Sequence, residues 1–315
     1  MLSRRNAPVA LAILTGLAAA SAFAQGLPPS FPPRQLDQLV ARIALYPDPL
    51  LAQVLAAATY PDDIPAAAQW ADQHHYLTGQ TLADAIQADQ LPWDPSVQAL
   101  LPFPSVLAMM SSDMRWTTDL GDAFLAQEQD LMDAVQRQRA LAERYGYLRS
   151  NGQVVVGSGP HITIMPVNPG YVVVPYYDPT VVFYPPRPGF FVGGAVRFGY
   201  GVSIGGFFAP WGWAPGRARF DWGGHGVFLN GGRWDRRWNN RGVYVHPYPT
   251  VRRPAPGIAR RPEPHALEPR SSPERNAARE GRPEPRETHR AGPRGGDRGG
   301  DRGGDRGGDR GGKRR

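Results

Sequence analysis

Gly201-Val202-Ser203-Ile204-Gly205 sets a serine hydroxyl between two glycines at the spacing of a hydrolase nucleophile elbow. Such an elbow needs a strand, a sharp turn and then a helix, so that the serine meets the helix N-terminus. Here the residues that follow, Ile204-Gly205-Gly206-Phe207-Phe208-Ala209-Pro210 through Gly216, are expected to form no helix. Val196, Phe198, Tyr200, Val202 and Ile204 alternate with Arg197, Gly199, Gly201, Ser203 and Gly205, which places the serine within a strand. A hydrolase acting on an envelope polymer is therefore the alternative class and not the leading one. The histidines are His74, His75, His161, His225, His246, His265 and His289, and only Asp72 with His74 or His75 forms a local cluster. Without a third partner that spacing makes a poor metal site, and a solvated helix end is the simpler reading. The chain has no cysteine, which excludes thiol catalysis and cysteine-bound metal. No cofactor or metal is expected. Asp119, Asp122, Asp130 and Asp133 are spaced like the polar face of an amphipathic helix.

A denser constellation lies further on. Trp211, Trp213, Trp222, Trp234 and Trp238 fall within 28 residues, interleaved with Arg217, Arg219, Arg233, Arg236 and Arg237. Guanidinium over an indole face contributes roughly 0.5–2 kcal/mol, and such a surface grips anionic polymers by charge and by stacking. The competing reading is that the indoles fill a glycine-rich sheet too poor in aliphatics to pack otherwise. These ten residues are the candidate partner-binding set.

The elements that would carry them divide into regions. Residues 1–24 run from Arg4 and Arg5 through an apolar stretch, Ala7 to Ala20, to Ala22-Phe23-Ala24, the order of a cleaved secretory signal peptide. The apolar stretch is too short to cross a bilayer, which needs about 20 residues. The absence of cysteine removes the lipid acceptor of a lipoprotein, so a periplasmic or outer-envelope protein is expected. Residues 25–33 are a proline-rich linker.

A helical domain is expected over residues 34–149. Leu36, Leu39, Val40 and Ile43 recur at helical spacing, Asp48 is placed to cap a helix with Pro49 at its first position, and Asp94-Pro95 repeats that opening. Asp62 or Asp63 can cap a run through Trp70, and Thr78 can cap the next. One long helix is predicted from about Asp113 to Tyr145, with Gly146 as its stop. Trp70, Trp93 and Trp116 read as core of this domain, which is large enough to fold alone.

Residues 150–250 change vocabulary to glycine, proline, aromatics and β-branched residues. Two strands are predicted around Gly157-Ser158-Gly159. Asn168 to Pro185 then states one pattern twice, ten residues apart: Asn168 falls on Asp178, Pro169 on Pro179, Val172 on Val182 and Pro175 on Pro185. Proline lacks an amide donor, so both copies read as short fenced strands of a small antiparallel sheet, either packed as a meander or exposed as an aromatic edge. Residues 251–315 are Arg, Pro, Glu and Gly with Gly-Gly-Asp-Arg written four times, and are expected to be disordered. The fold class is α+β: a helical N-terminal domain, a small β-rich region and a disordered tail.

The stretches Leu36-Asp37-Gln38-Leu39-Val40 through Asp72-Gln73, Leu91-Pro92-Trp93-Asp94-Pro95 through Arg137-Gln138-Arg139, and the doubled segment resemble the bacterial exported family grouped as domain of unknown function 3300, over about Leu36 to Gly242. The resemblance implies a signal-bearing envelope protein with a helical N-terminal half, and it carries over no catalytic residue. The Gly-Gly-Asp-Arg tail departs from the family pattern. So does Arg197 within the glycine-rich run 192–209, where a charge opposes membrane insertion.

The net charge of +7 is unevenly spread: −8 over residues 25–150, +5 over 151–250 and +8 over 251–315. An acidic head is thus followed by a basic body and tail, and the serine motif without its structural context, together with the lack of a metal set, favours a structural or interaction protein over an enzyme. Its expected partner is an anionic envelope polymer or an acidic protein surface, with peripheral membrane contact as a variant. The Arg-Gly-Gly units resemble RNA-binding segments. Asp297, Asp301, Asp305 and Asp309 each offset one arginine there, and export removes the chain from cytoplasmic RNA, so nucleic acid is disfavoured.

Overall fold

The structure is a computed structural model that describes residues 26–187, 193–199 and 201–248. The signal peptide and the tail, expected at residues 1–24 and 251–315, lie outside the described residues.

Helix α1 spans Pro33–Val40 and opens on proline, which tolerates a first-turn position because its missing N–H would be unpaired there anyway. Helix α2, Asp48–Ala58, is the axis of the fold, with every residue except Pro49 buried. Its alanines let neighbours approach closely. It packs against α5 (Pro95–Gln98) and α7 (Met114–Ala126), while α3 (Ile64–Gln73) packs on α6 (Pro104–Ser112), α8 (Glu128–Arg144) packs on α1, and α4 (Gly79–Ala88) meets the segment Gly206–Trp211. Helix α7 crosses the end of α2 at Gly121, where a Cβ would lie 2.0 Å from the Ala58 carbonyl oxygen. Only glycine permits that approach.

The long helix predicted from Asp113 to Tyr145 is broken at Gln127, which takes φ −139° and ψ 46°. Partners from elsewhere in the chain compete for this backbone. The Gln127 side chain accepts from Phe31 N and donates to Phe31 O, while Trp238 N donates to Leu125 O. The predicted stop at Gly146 is present, with φ +78° and the Ala142 carbonyl accepting from Tyr147 and Leu148.

Asp94 caps α5 as read, accepting from Ser96 N. Asp48 does not cap α2, whose N-cap is Pro47. Its carboxylate turns inward to a stronger partner. Arg139 of α8, fully buried, pairs with Asp48 Oδ1 at 2.7 Å and donates to the carbonyls of Ala44, Tyr46 and Ile162. Asp63 likewise makes no cap bond and accepts instead from Asp94 N, and Thr78 stands at an N-cap without a side-chain bond.

The β-region is assembled from small sheets. Strands β1 (Val154–Gly157) and β2 (Thr163–Pro166) form the expected antiparallel pair, with Val156 opposite Ile164. In the doubled segment, β3 (Tyr171–Val172) and β4 (Pro175–Tyr177) pair with later strands, β6 (Val202–Ser203) and β5 (Val196–Phe198) respectively. The second copy departs from the expected strand: Pro179–Val182 is a helical turn, α9. Both copies begin with a side-chain oxygen accepting from the amide two residues on, Asn168 from Gly170 and Asp178 from Thr180. Gly170 disfavours helix, whereas the Thr180 hydroxyl adds a second bond to Asp178 and holds the turn closed. Strands β7 (Arg219–Asp221), β8 (Gly226–Leu229) and β9 (Gly232–Arg233) make a three-stranded meander.

One buried cluster runs from Leu36 and the helices into Val154, Trp213, Val227, Leu229 and Trp234, and all described residues fall in one compact unit. The boundary near residue 150 is a change of secondary structure within a shared core. No described helix is long and apolar enough to cross a membrane.

Candidate functional site

The candidate set divides sharply by burial. Trp211, Trp213, Trp222 and Trp234 are 1, 2, 6 and 0% exposed, so they are core and offer no stacking surface to a partner. Strands of two to four residues with many glycines supply few aliphatics, and the indoles take that volume. Three of them also tie the β-region to the helices: Trp211 Nε1 donates to Gln98 Oε1, Trp213 Nε1 to Ala99 O and Trp222 Nε1 to Asp48 Oδ2. Arg236 is buried too, donating to Thr59 O and Oγ1 with its guanidinium 3.7 Å from the Tyr60 ring centroid. The expected surface therefore loses these five residues.

Five remain accessible. Arg217, Arg219 and Arg233 are exposed, while Arg237 and Trp238 are half-buried. Arg219 lies over the Phe228 ring at 3.9 Å, and the nearby Arg241 covers Trp238 at the same distance.

Arg233 and Arg237 line an open cleft of about 370 Å³ with the last turn of α7, the first turn of α8 and His225. The break at Gln127 creates it, because it starts a new helix there and brings Glu128 inward. The Glu128 side chain is 7% exposed and its Oε2 meets Arg237 Nη2 at 2.6 Å. Glu128 Oε1 has no hydrogen-bond partner among the described residues. Burial pushes this carboxyl up from 4.5 to about 7, against the pull of Arg237 and Arg233. Arg237 is itself held by Nη1, which donates to the Trp234 and Arg236 carbonyls. Arg233 pairs with Asp235 at 3.0 Å, and His225 Nε2 meets Asp133 Oδ1 at 3.0 Å. The cleft sets a buried carboxyl, raised toward neutrality, beside two guanidinium groups.

Sequence reasoning did not single out Glu128 or His225. Glu128 sits in a polar run, Gln127-Glu128-Gln129-Asp130, that looks like any solvated helix face. Only the break in the helix reveals it.

Ser203 lies in β6 opposite Tyr171, and a 3-10 segment, Gly206–Trp211, follows Gly205. The serine is thus the last residue of a strand, and a short 3-10 helix, which the sequence pattern does not predict, begins three residues on without placing Ser203 at its first turn. It does line one open groove of about 440 Å³ with His74 and His75. Both histidines are turned to their own helix: His74 stacks on Trp70 at 3.9 Å and bonds the Trp70 carbonyl, and His75 bonds that of Asp72. Neither makes a hydrogen bond to Ser203 among the described contacts. Among the described residues no group of three His, Asp or Glu could hold a metal ion. Trp70 and Trp116 are buried as read, and Trp93 is half-buried.

Fold and site together define a helical domain whose core is completed by a glycine- and tryptophan-rich β-region, with a charged cleft at the junction. The family model described as "Protein of unknown function (DUF3300)" matches residues 32–222, more than half of the chain, and the chain belongs to that family. It is 38% identical over 224 residues to the uncharacterized protein YacH of Escherichia coli (strain K12), a match covering 56% of this chain and 36% of the relative. The chain thus spans about a third of the length of the curated relative it matches. No solved structure matches.

Proposed function

We propose that the protein is an exported cell-envelope protein that mediates interactions, holding anionic envelope material or an acidic protein surface through its accessible arginines. The observation that carries this reading is the set Arg217, Arg219 and Arg233, which stays exposed where the neighbouring tryptophans are buried. A guanidinium on an aromatic plane, as at Arg219 on Phe228, is preorganised and keeps its edge free to donate. The charge of +8 over residues 251–315 adds to the same sign. Export rests on residues 1–24 and their signal-peptide pattern.

In-cell crosslinking with identification of the captured material tests the reading. The intact protein is compared with a version ending at Tyr248 and with Arg217→Gln/Arg219→Gln/Arg233→Gln. The arginine variant is expected to lose the major crosslink. Retention of every crosslink by both altered proteins would end the electrostatic account. Cell fractionation with N-terminal sequencing tests export, and a cytoplasmic protein that keeps Met1 would overturn it. The rival hydrolase is tested by Ser203→Ala, which should complement a deletion strain fully; loss of function with an intact fold would favour the enzyme.

A further inference from the structure

The charged groups facing Glu128 come from three elements. Arg233, Asp235 and Arg237 come from β9 and the segment after it, His225 from the turn between β7 and β8, and Asp130 and Asp133 from α8 itself. The acids other than Glu128 are in water: the side chains of Asp133 and Asp235 are 56 and 61% exposed, and Asp130 is exposed. Solvent screens them. Glu128 is the buried carboxyl of the cleft, and its Oε1 has no donor among the described residues.

A buried carboxylate oxygen without a partner carries its desolvation cost uncompensated, so this placement calls for a compensating role. Glu128 occupies the position an external anion would take. Its Oε2 sits at the Arg237 guanidinium, and the carboxylate stands in the first turn of a 17-residue helix, where unpaired N–H groups favour negative charge. We propose that this cleft is a binding site for an oxyanion, phosphate- or carboxylate-type, held by Arg237 and Arg233, and that Glu128 is its internal occupant, giving up Arg237 by taking a proton from solvent when the anion binds. This rests on the reading of the accessible arginines as anion-binding and gives it a defined site.

One proton moves from solvent to the Glu128 carboxylate, Oε1 changes from an unpartnered acceptor to a hydroxyl donor, and Arg237 Nη2 exchanges one oxyanion for another. The position of the Glu128 titration, about 7, makes that proton available near neutral pH. Anion affinity is then greatest below that value and falls as pH rises through it, by about tenfold per pH unit for one coupled proton.

Isothermal titration of the full-length protein with sulfate and separately with acetate, between pH 5.5 and 8.5, tests the proposal. Sulfate stays fully ionised across that range and acetate stays mostly ionised. Sulfate stands in for a phosphate-type ligand and acetate for a carboxylate, so the stronger binder identifies the class. The expected results are affinity that is level below about pH 7 and declines above it, uptake that is slight at pH 5.5 and approaches one proton per anion above about pH 8, and loss of binding in Arg237→Gln. Glu128→Gln should bind with an affinity that no longer depends on pH. His225→Gln should keep the wild-type pH profile; if it flattens the profile and Glu128→Gln does not, the proton belongs to the histidine and the proposal is wrong. Absence of binding by both wild type and Glu128→Gln at pH 5.5 would overturn the site. The crosslinking by Arg217, Arg219 and Arg233 could still stand in either case.

Discussion

Replacing Arg139 with Met should destabilise both halves of the protein at once. Arg139 is 0% exposed and its guanidinium meets Asp48 at 2.7 Å, three carbonyls at 2.8, 2.8 and 3.0 Å, and the Trp222 ring at 4.9 Å. Methionine fills much of the volume and donates nothing. Asp48 would remain buried with only Ile164 N and Trp222 Nε1 as donors. Removing one partner of a buried pair typically costs about 3–5 kcal/mol, and the retained donors place this case near the lower end. For a fold of this size each kcal/mol lowers the melting temperature by about 2–4 °C, so a fall of about 6–12 °C is expected. Arg139→Lys should fall less, since it keeps the charge while losing the planar fork. Adding Asp48→Asn to Arg139→Met should recover part of the loss. The assay is thermal unfolding followed by far-ultraviolet circular dichroism for the helices and by tryptophan fluorescence for the β-region. The two signals should move together. A change below about 2 °C, or a helical transition that shifts while the fluorescence transition stays, would refute the shared buried network.

Other outcomes follow from the same contacts. Trp213→Ala should cost about 3–5 kcal/mol and shift the helical transition as well, because the indole packs on Phe103 and donates to Ala99 O; urea titration reads this. Gly121→Ala should cost about 1–3 kcal/mol, since its methyl has no room beside Ala58 O, and the same titration checks it. Glu128 carries a pH signature in stability. Its folded value, about 7, lies above the ordinary 4.5, so its contribution is full below about 4.5 and is lost as pH rises through 7. That difference corresponds to about 3 kcal/mol at most, and the urea midpoint should fall from pH 5 to pH 8 in the wild type and much less in Glu128→Gln.

Much of the helical half was legible in the sequence. Its signals are local: the Asp94 cap, the Gly146 stop and the apolar spacing of Leu36, Leu39 and Val40 are each decided within a few residues. Failures arose where distant partners outbid local chemistry. Asp48 looks like a cap until Arg139, 91 positions away by the numbering, takes its carboxylate. Gln127 looks helical until Phe31 and Trp238 claim the local backbone and side chain. The tryptophan cluster was visible as a feature, but its direction was not. Whether an indole in a glycine-rich segment faces water or a helix depends on that helix, and Gln98, Ala99 and Asp48 settle it here. The cleft was least legible, because a buried glutamate and a solvated one have the same sequence signature. Its two arginines were among the candidate residues; their acidic partner was not.

In the proposed function an anionic partner is held by the accessible arginines and not by the buried indoles. Binding of the purified full-length protein to polyglutamate, measured by fluorescence anisotropy from 50 to 300 mM salt, tests it most directly. Exposed charges are screened beyond about 10 Å at 0.1 M salt, so affinity should fall by at least about tenfold across this range. Arg217→Gln/Arg219→Gln/Arg233→Gln should bind weakly at every salt concentration while unfolding at the wild-type temperature. Binding that ignores salt, or that survives intact in the triple variant, would contradict the account.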